Sequence, residues 1–296
     1  MKRKLSDILY TIVSIISLVF GLYMCFFYRA ADKTQIVEAY ANIEDYPVYN
    51  GRNVYEYWKT TLNEDQQILY EEMKEAYLQF KETFSTQIDN ISPTDFYSTY
   101  LAMILDHPEM FWVGSYATNK TFTNNVNTNK IIDLYYVYSS EESKEIKSSM
   151  EVRYNEIIDE AKKQDNDFKK IKYVHDKLIE ISKYNDEYTE EEKKEYQSIV
   201  SIFETGNTVC AGYSYGFKFI MDQLGIKTIT TQDISNEDDS KNHAWNMVEL
   251  YGKWYNIDLT WDNKMKAEGR ISYDYFLKDN DEFYTDHRMQ YGIPTN

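Results

Sequence analysis

Three side chains in the second half of this 296-residue chain are of the types that covalent thiol chemistry requires: Cys210, His243 and Asp258. Sulfur attacks as its thiolate, so it needs a base beside it, and the base needs an acceptor that fixes its tautomer. Cys210 follows a break at Gly206-Asn207. Ala211, Tyr215, Phe219, Ile220 and Leu224 then recur at helical spacing up to a capping Gly225. The pattern predicts a helix with the thiol at or near its N-terminus. Unpaired N–H groups there favour an anion, which lowers the thiol pKa from about 8.5. The same groups can hold an oxyanion.

His243 and Asp258 fall in two runs, HAWNMVEL and KWYNIDLTW, that read as strands joined at Tyr251-Gly252. With a two-residue loop, Leu250 pairs with Lys253, Trp245 faces Asp258 and His243 faces Thr260. The imidazole and the carboxylate then share one face as diagonal neighbours, about 7–8 Å apart at the backbone. A three-residue loop would send Asp258 to the opposite face.

The elements around these runs are legible by the same rules. Asn63 with Gln66 marks a helix start, and Ser92-Pro93 marks a second that ends before His107-Pro108. Residues 111–116 and 131–138, on either side of a Thr/Asn-rich stretch, read as strands. Helices are predicted over 140–163 and 167–183, the second burying Phe168, Ile171, Val174, Leu178 and Ile181. His175 on that helix is assigned packing or capping rather than a base role. Residues 188–195 read as a solvated charged run and residues 271–276 as a last strand; His287 is assigned no role.

Composition limits the function classes. Hydrophobic residues make up 43% and aromatics 16%, which is the composition of a folded chain. Lys and Arg total 32 against 49 Asp and Glu, a net charge of −17 that repels phosphate backbones, so no nucleic acid is expected as partner. The four histidines and two cysteines show no metal-ligand spacing, and the acidic run Asp233, Glu237, Asp238, Asp239 does not match a calcium loop. Neither a metal nor a cofactor is expected. Cys25, in an apolar N-terminal run, cannot plausibly pair with Cys210.

The N-terminus carries Lys2, Arg3 and Lys4, and residues 8–28 contain no charge. At about 1.5 Å per residue this run crosses the roughly 30 Å core of a bilayer. The basic residues favour the N-terminus inside, with the remainder outside the cell membrane. A cleavage site fits poorly at Tyr28-Arg29. The domain reading is therefore 1–30 as an uncleaved membrane anchor, 31–139 as a helical-plus-hairpin accessory region and 140–296 as the domain that holds the three candidate residues.

The residues around the three candidates resemble the transglutaminase-like superfamily. The likeness rests on Val-Cys-Ala-Gly-Tyr at 209–213, His-Ala-Trp-Asn at 243–246, Gly-Lys-Trp-Tyr at 252–255 and Asp-Leu-Thr-Trp-Asp at 258–262. Tyr-Val-His-Asp at 173–176 and Lys-Tyr-Asn at 183–185 match its lead-in helix, so the resemblance covers roughly 167–262. It implies an α+β, papain-like core with the nucleophile helix packed on an antiparallel sheet. It assigns Cys210 as nucleophile, His243 as base and Asp258 as the group that orients the base. It also implies a protein or peptide substrate, attacked at a Gln side chain or a peptide amide. The large eukaryotic cross-linking members carry Gly-Gln-Cys-Trp where this chain has Thr-Val-Cys-Ala, so calcium-dependent cross-linking does not carry over. The rival is a non-catalytic transglutaminase-like surface binding module, which predicts a thiol fully buried or turned away from His243.

Overall fold

Side-chain caps set the helix starts. A short α1 (Tyr57–Thr60) leads to α2 (Glu64–Leu78). There the Asn63 side chain accepts the Gln66 N–H at 2.9 Å, and the Gln66 side chain accepts the Asn63 N–H at 3.1 Å. Ser92 caps α3 (Pro93–Asp106), with proline at the first helical position, where its missing N–H costs nothing. Ser139 and Asn166 cap α4 (Ser140–Lys162) and α5 (Asp167–Glu180). The computed structural model describes residues 54–294 apart from 87, 89–90, 124–127, 190, 234–241, 265–269 and 289–291. The expected membrane anchor, the accessory residues 31–53 and the acidic positions 237–239 lie outside the described residues. Among those described, no helix is long and apolar enough to cross a membrane.

The front hairpin is larger than predicted. β2 (Val113–Thr123) and β3 (Thr128–Tyr136) pair out to Thr123 and Thr128, because the Thr-rich stretch continues the ladder. An unpredicted β1 (Thr83–Thr86) pairs with β3, giving an antiparallel sheet in the order β1-β3-β2. His107, ending α3, is buried between Glu109 at 2.7 Å and Glu56 at 3.0 Å. Trp58 ties this region to the second sheet by donating its indole N–H to the Thr230 carbonyl at 2.7 Å.

After α5 the chain forms β4 (Lys183–Tyr184), the short helices α6 (Lys193–Tyr196) and α7 (Ile199–Glu204), and β5 (Asn207–Thr208), which pairs in parallel with β4. Next come α8 (Cys210–Gln223), β6 (Thr228–Asp233), β7 (His243–Leu250) and β8 (Lys253–Ile257). The last three form an antiparallel sheet in the order β6-β7-β8. α8 packs on β7, with α5 and α7 also against it. Tyr213, Phe217, Phe219, Ile220 and Met221 of α8 are buried in the core. The helix-on-sheet, mixed α and β arrangement is the one expected.

α8 can lie this close to its neighbours because of Gly212. A Cβ there would sit 2.5 Å from Ser201 Oγ and closer still to Thr208 Oγ1. Below it, Lys218 and Asp222 form a fully buried ion pair at 2.9 Å. Lys218 also donates to the Tyr55 and Thr228 carbonyls at 3.2 and 3.3 Å. Hydrogen bonds to both members are what make such a buried pair tolerable.

Several local expectations are corrected. α5 ends at Glu180 because Lys183 and Tyr184 leave to pair with β5. Its buried stripe includes Ile179, whereas Phe168 on the first turn is exposed and meets Phe276 edge-on. The predicted strand at 271–276 does not form. The tail there bonds to side chains and loop, with the Tyr275 N–H donating to Asp262 and the Tyr275 carbonyl accepting from Asp258 N–H. It reaches the sheet through one bridge, Lys278 to Asn256, before α10 (Asn280–Phe283).

The β7–β8 register is the predicted one, Leu250 pairing with Lys253. Tyr251 and Gly252 both take positive φ, +52° and +78°, matching the right-handed twist of the strands. A bulky residue is strained there, and Tyr251 is 77% exposed, so its ring recovers little of that cost. Tyr251→Asn is therefore expected to stabilise the fold by roughly 0.5–1 kcal/mol, read as a higher midpoint in thermal unfolding. An unchanged or lower midpoint would mean the turn is not strained at Tyr251.

Candidate active site

Cys210 is the first residue of α8. The preceding Val209 has extended backbone, φ −113° and ψ −175°, and no side chain caps the helix there. The first-turn N–H groups are thus left without a competing side-chain acceptor, the condition under which they can receive developing negative charge. The thiol is free and half-buried.

His243 begins β7, and its position relative to α8 is fixed three residues along. Asn246, fully buried, donates to the Ser214 carbonyl of α8 at 3.0 Å and to Thr230 Oγ1 of β6 at 3.2 Å. The His243 ring lies between Trp245 and Trp261, with centroids 6.0 and 5.7 Å away, and its side chain is 16% exposed. Its Nε2 meets Asp258 Oδ2 at 2.7 Å. The Cys210 side chain is near enough to act on the same ring and favours its charged form. Burial pushes the ring toward its neutral form. The Asp258 carboxylate, and after it Cys210, outweigh burial and raise the imidazole to about 10.

Asp258 is placed differently from the strand position predicted for it. β8 ends at Ile257, and α9 (Leu259–Lys264) begins one residue after Asp258. Thr260, expected opposite His243 on a strand, is therefore in a helix. The reason lies in Asp258 itself. Its Oδ1 accepts the backbone N–H groups of Thr260 at 2.9 Å and Trp261 at 3.1 Å, and its carbonyl accepts from Asp262. That is an N-cap, and Asp is among the residues best suited to it. Burial favours the neutral acid, but His243 and then His287 more than offset it and hold the carboxyl at about 2.

The second histidine was missed in the sequence. His287 Nε2 approaches the same Asp258 Oδ2 at 3.1 Å, and its Nδ1 meets Asp286 Oδ1 at 2.7 Å. It lies 29 residues from Asp258, beyond the last recognisable element, so no spacing rule could have found it. His175 has the assigned structural role: fully buried, it bridges Asp176 at 2.9 Å and Asp262 at 3.1 Å, joining α5 to α9. One ligand atom each from His243, Asp258 and His287 lie within 4.8 Å of one another, close enough for one cation. Both ring nitrogens nearest the carboxylate are already on its Oδ2, so a cation would have to replace both hydrogen bonds.

Comparison with known proteins finds likenesses over part of the chain. Residues 155–259 match the model of the Transglutaminase-like superfamily. Kyphoscoliosis peptidase of Mus musculus is 25% identical over 128 residues, 39% of this chain and 18% of that protein. The match thus spans less than a fifth of that relative's length. A solved TGase structure is 14% identical, covering 60% of this chain and 50% of its own, with a TM-score of 0.33. The periplasmic domain of TgpA from Pseudomonas aeruginosa is 11% identical over 50% of this chain and 64% of its own, with a TM-score of 0.28. The stretch matched by that family model carries Cys210 and His243 and ends one residue after Asp258.

Proposed function

We propose that this chain is a thiol enzyme acting on amide bonds by covalent acyl transfer, with a papain-like Cys210–His243–Asp258 triad. The observation that carries the reading is the His243 imidazole bonded to a buried carboxylate, Nε2 2.7 Å from Asp258 Oδ2, with the Cys210 thiol near enough to act on the same ring. A binding module would leave the thiol fully buried or turned from the ring; that Cys210 is only half-buried supports the enzyme reading.

In the first half-reaction Cys210 Sγ bonds to the carbonyl carbon of a Gln side chain or peptide, while the shared proton rests on His243. The oxygen of the tetrahedral intermediate takes the negative charge and accepts from first-turn N–H groups of α8. The C–N bond then breaks, and His243 gives its proton to the leaving nitrogen as ammonia or an amine. In the second half, water or an amine attacks the thioester and passes a proton to His243, and the C–S bond breaks. Water as acceptor gives deamidase or protease chemistry; an amine gives transglutaminase chemistry. The likeness to a peptidase supports protein and peptide amides as the substrates. The N-terminal run, uncharged over residues 8–28, supports a reading in which this domain works outside a membrane that anchors it.

Incubation with Gln-donor and unmodified peptides, followed by rapid acid quench and intact mass, is expected to show an acyl adduct on wild-type protein and none on Cys210→Ala. Absence of any adduct across the peptide set, with turnover unaffected by Cys210→Ala, would sink the proposal. The imidazolium also sets a pH signature. Because the ring is raised above its ordinary value, its proton is retained through neutral pH and lost near pH 10. The rate constant kcat/KM should therefore hold through neutral pH and fall as pH passes about 10. In Asp258→Asn that limb should move down toward the ordinary histidine value of about 6.5. A limb that stays in place would disconnect Asp258 from the base.

A further inference from the structure

The acid of the triad is itself held by a group outside the triad. Asp258 is fully buried, and its two oxygens accept four hydrogen bonds: two backbone N–H groups at Oδ1, and His243 and His287 at Oδ2. A carboxylate has about four acceptor positions, so this one is saturated and cannot turn. We propose that His287 is a positioning residue for the reaction, its Nε2–H fixing the Asp258 oxygen that orients the catalytic imidazole. The proposal rests on the triad reading above.

The chemistry of the contact decides which partner donates. An ionised carboxylate only accepts, so the proton of the His287–Asp258 bond belongs to Nε2. On the far side of the ring, Asp286 Oδ1 lies 2.7 Å from Nδ1, and Asp286 Oδ2 accepts the Tyr275 hydroxyl at 2.6 Å. A continuous chain of hydrogen bonds thus runs from Tyr275 through Asp286, His287 and Asp258 to His243. The ring's tilt is set by packing: Phe283 stacks on it at 3.9 Å and 27°, and Trp261 lies 4.1 Å away. The His287 side chain is 2% exposed, so water is not at hand to take over its bond to Asp258. Without that bond, Oδ2 keeps a single partner and the carboxylate gains freedom to rotate about its backbone-held oxygen.

The rival explanation is that His287 only fills the aromatic cluster of Trp261, Trp245, Tyr275 and Phe283. Two substitutions separate the readings. His287→Phe keeps a ring and removes the donor; His287→Gln loses the ring and keeps an N–H donor at similar reach. Iodoacetamide alkylation of Cys210 in the full chain, followed by intact mass, supplies the rate. Positioning predicts that the Phe variant slows about tenfold, the loss of one charge-assisted hydrogen bond, and that the Gln variant stays within about threefold of wild type. A wild-type rate in the Phe variant, or an equal loss in both, overturns the proposal. His243→Ala is the internal control. If it alkylates like wild type, the triad reading itself fails; if it is slow while the Phe variant is normal, only the role of His287 fails. Should either variant unfold, the wild-type protein still answers, because long-range proton–nitrogen spectra must show His287 Nε2 carrying its proton. A bare Nε2 overturns the proposal.

Discussion

The carboxylate of Asp258 is the constraint on which the site depends. A fully buried carboxylate has lost its water, at a cost of several kcal/mol in a protein interior unless every lone pair is met. Here the four donors come from three places: two N–H groups at the start of α9, the first residue of β7 and the C-terminal tail. Satisfying the charge therefore forces those pieces of chain together. The helix begins where it does because Asp258 caps it, and the tail docks where it does in part because His287 has a partner there. One side chain supplies both a folding requirement and the orientation of a base.

All four histidines of this acidic chain are held by acids. His107 lies between Glu56 and Glu109, His175 between Asp176 and Asp262, and His287 between Asp258 and Asp286. With both ring nitrogens on carboxylates, these three act as braces between segments distant in sequence. His243 departs from the pattern in one respect: it is bonded to one carboxylate, and the other group that favours its charged form is a thiol. In the proposed triad, a sulfur in place of a second acid would turn a brace into a pair able to pass a proton, beside an uncapped helix start. The difference between structural and reactive histidines here lies in the second partner rather than in burial or charge.

Much of this could be read in the sequence because it is local. Caps at Asn63, Ser92, Ser139 and Asn166 depend on residues three positions apart, and the β7–β8 register follows from a two-residue turn. The pairing of His243 with Asp258 joins two runs that this register brings side by side. What escaped depended on longer range or on competition between elements. The strand pattern of KWYNIDLTW predicts Asp258 on a strand; its preference for capping a helix prevails. Residues 271–276 are rich enough in β-formers to suggest a strand, yet their partners are Asp258 and Asp262 rather than a ladder. His287 carries no local signature at all. Its meaning exists only once the tail has folded back.

The central claim is that imidazole, thiol and carboxylate form one hydrogen-bonded line in the resting protein. A nitrogen-15 titration of His243, assigned by comparison with a His243→Gln sample, tests it most directly. The account predicts that both ring nitrogens carry protons at pH 8 and that the ring loses one only near pH 10. A ring already neutral at pH 8, titrating near the ordinary value of about 6.5, would contradict it.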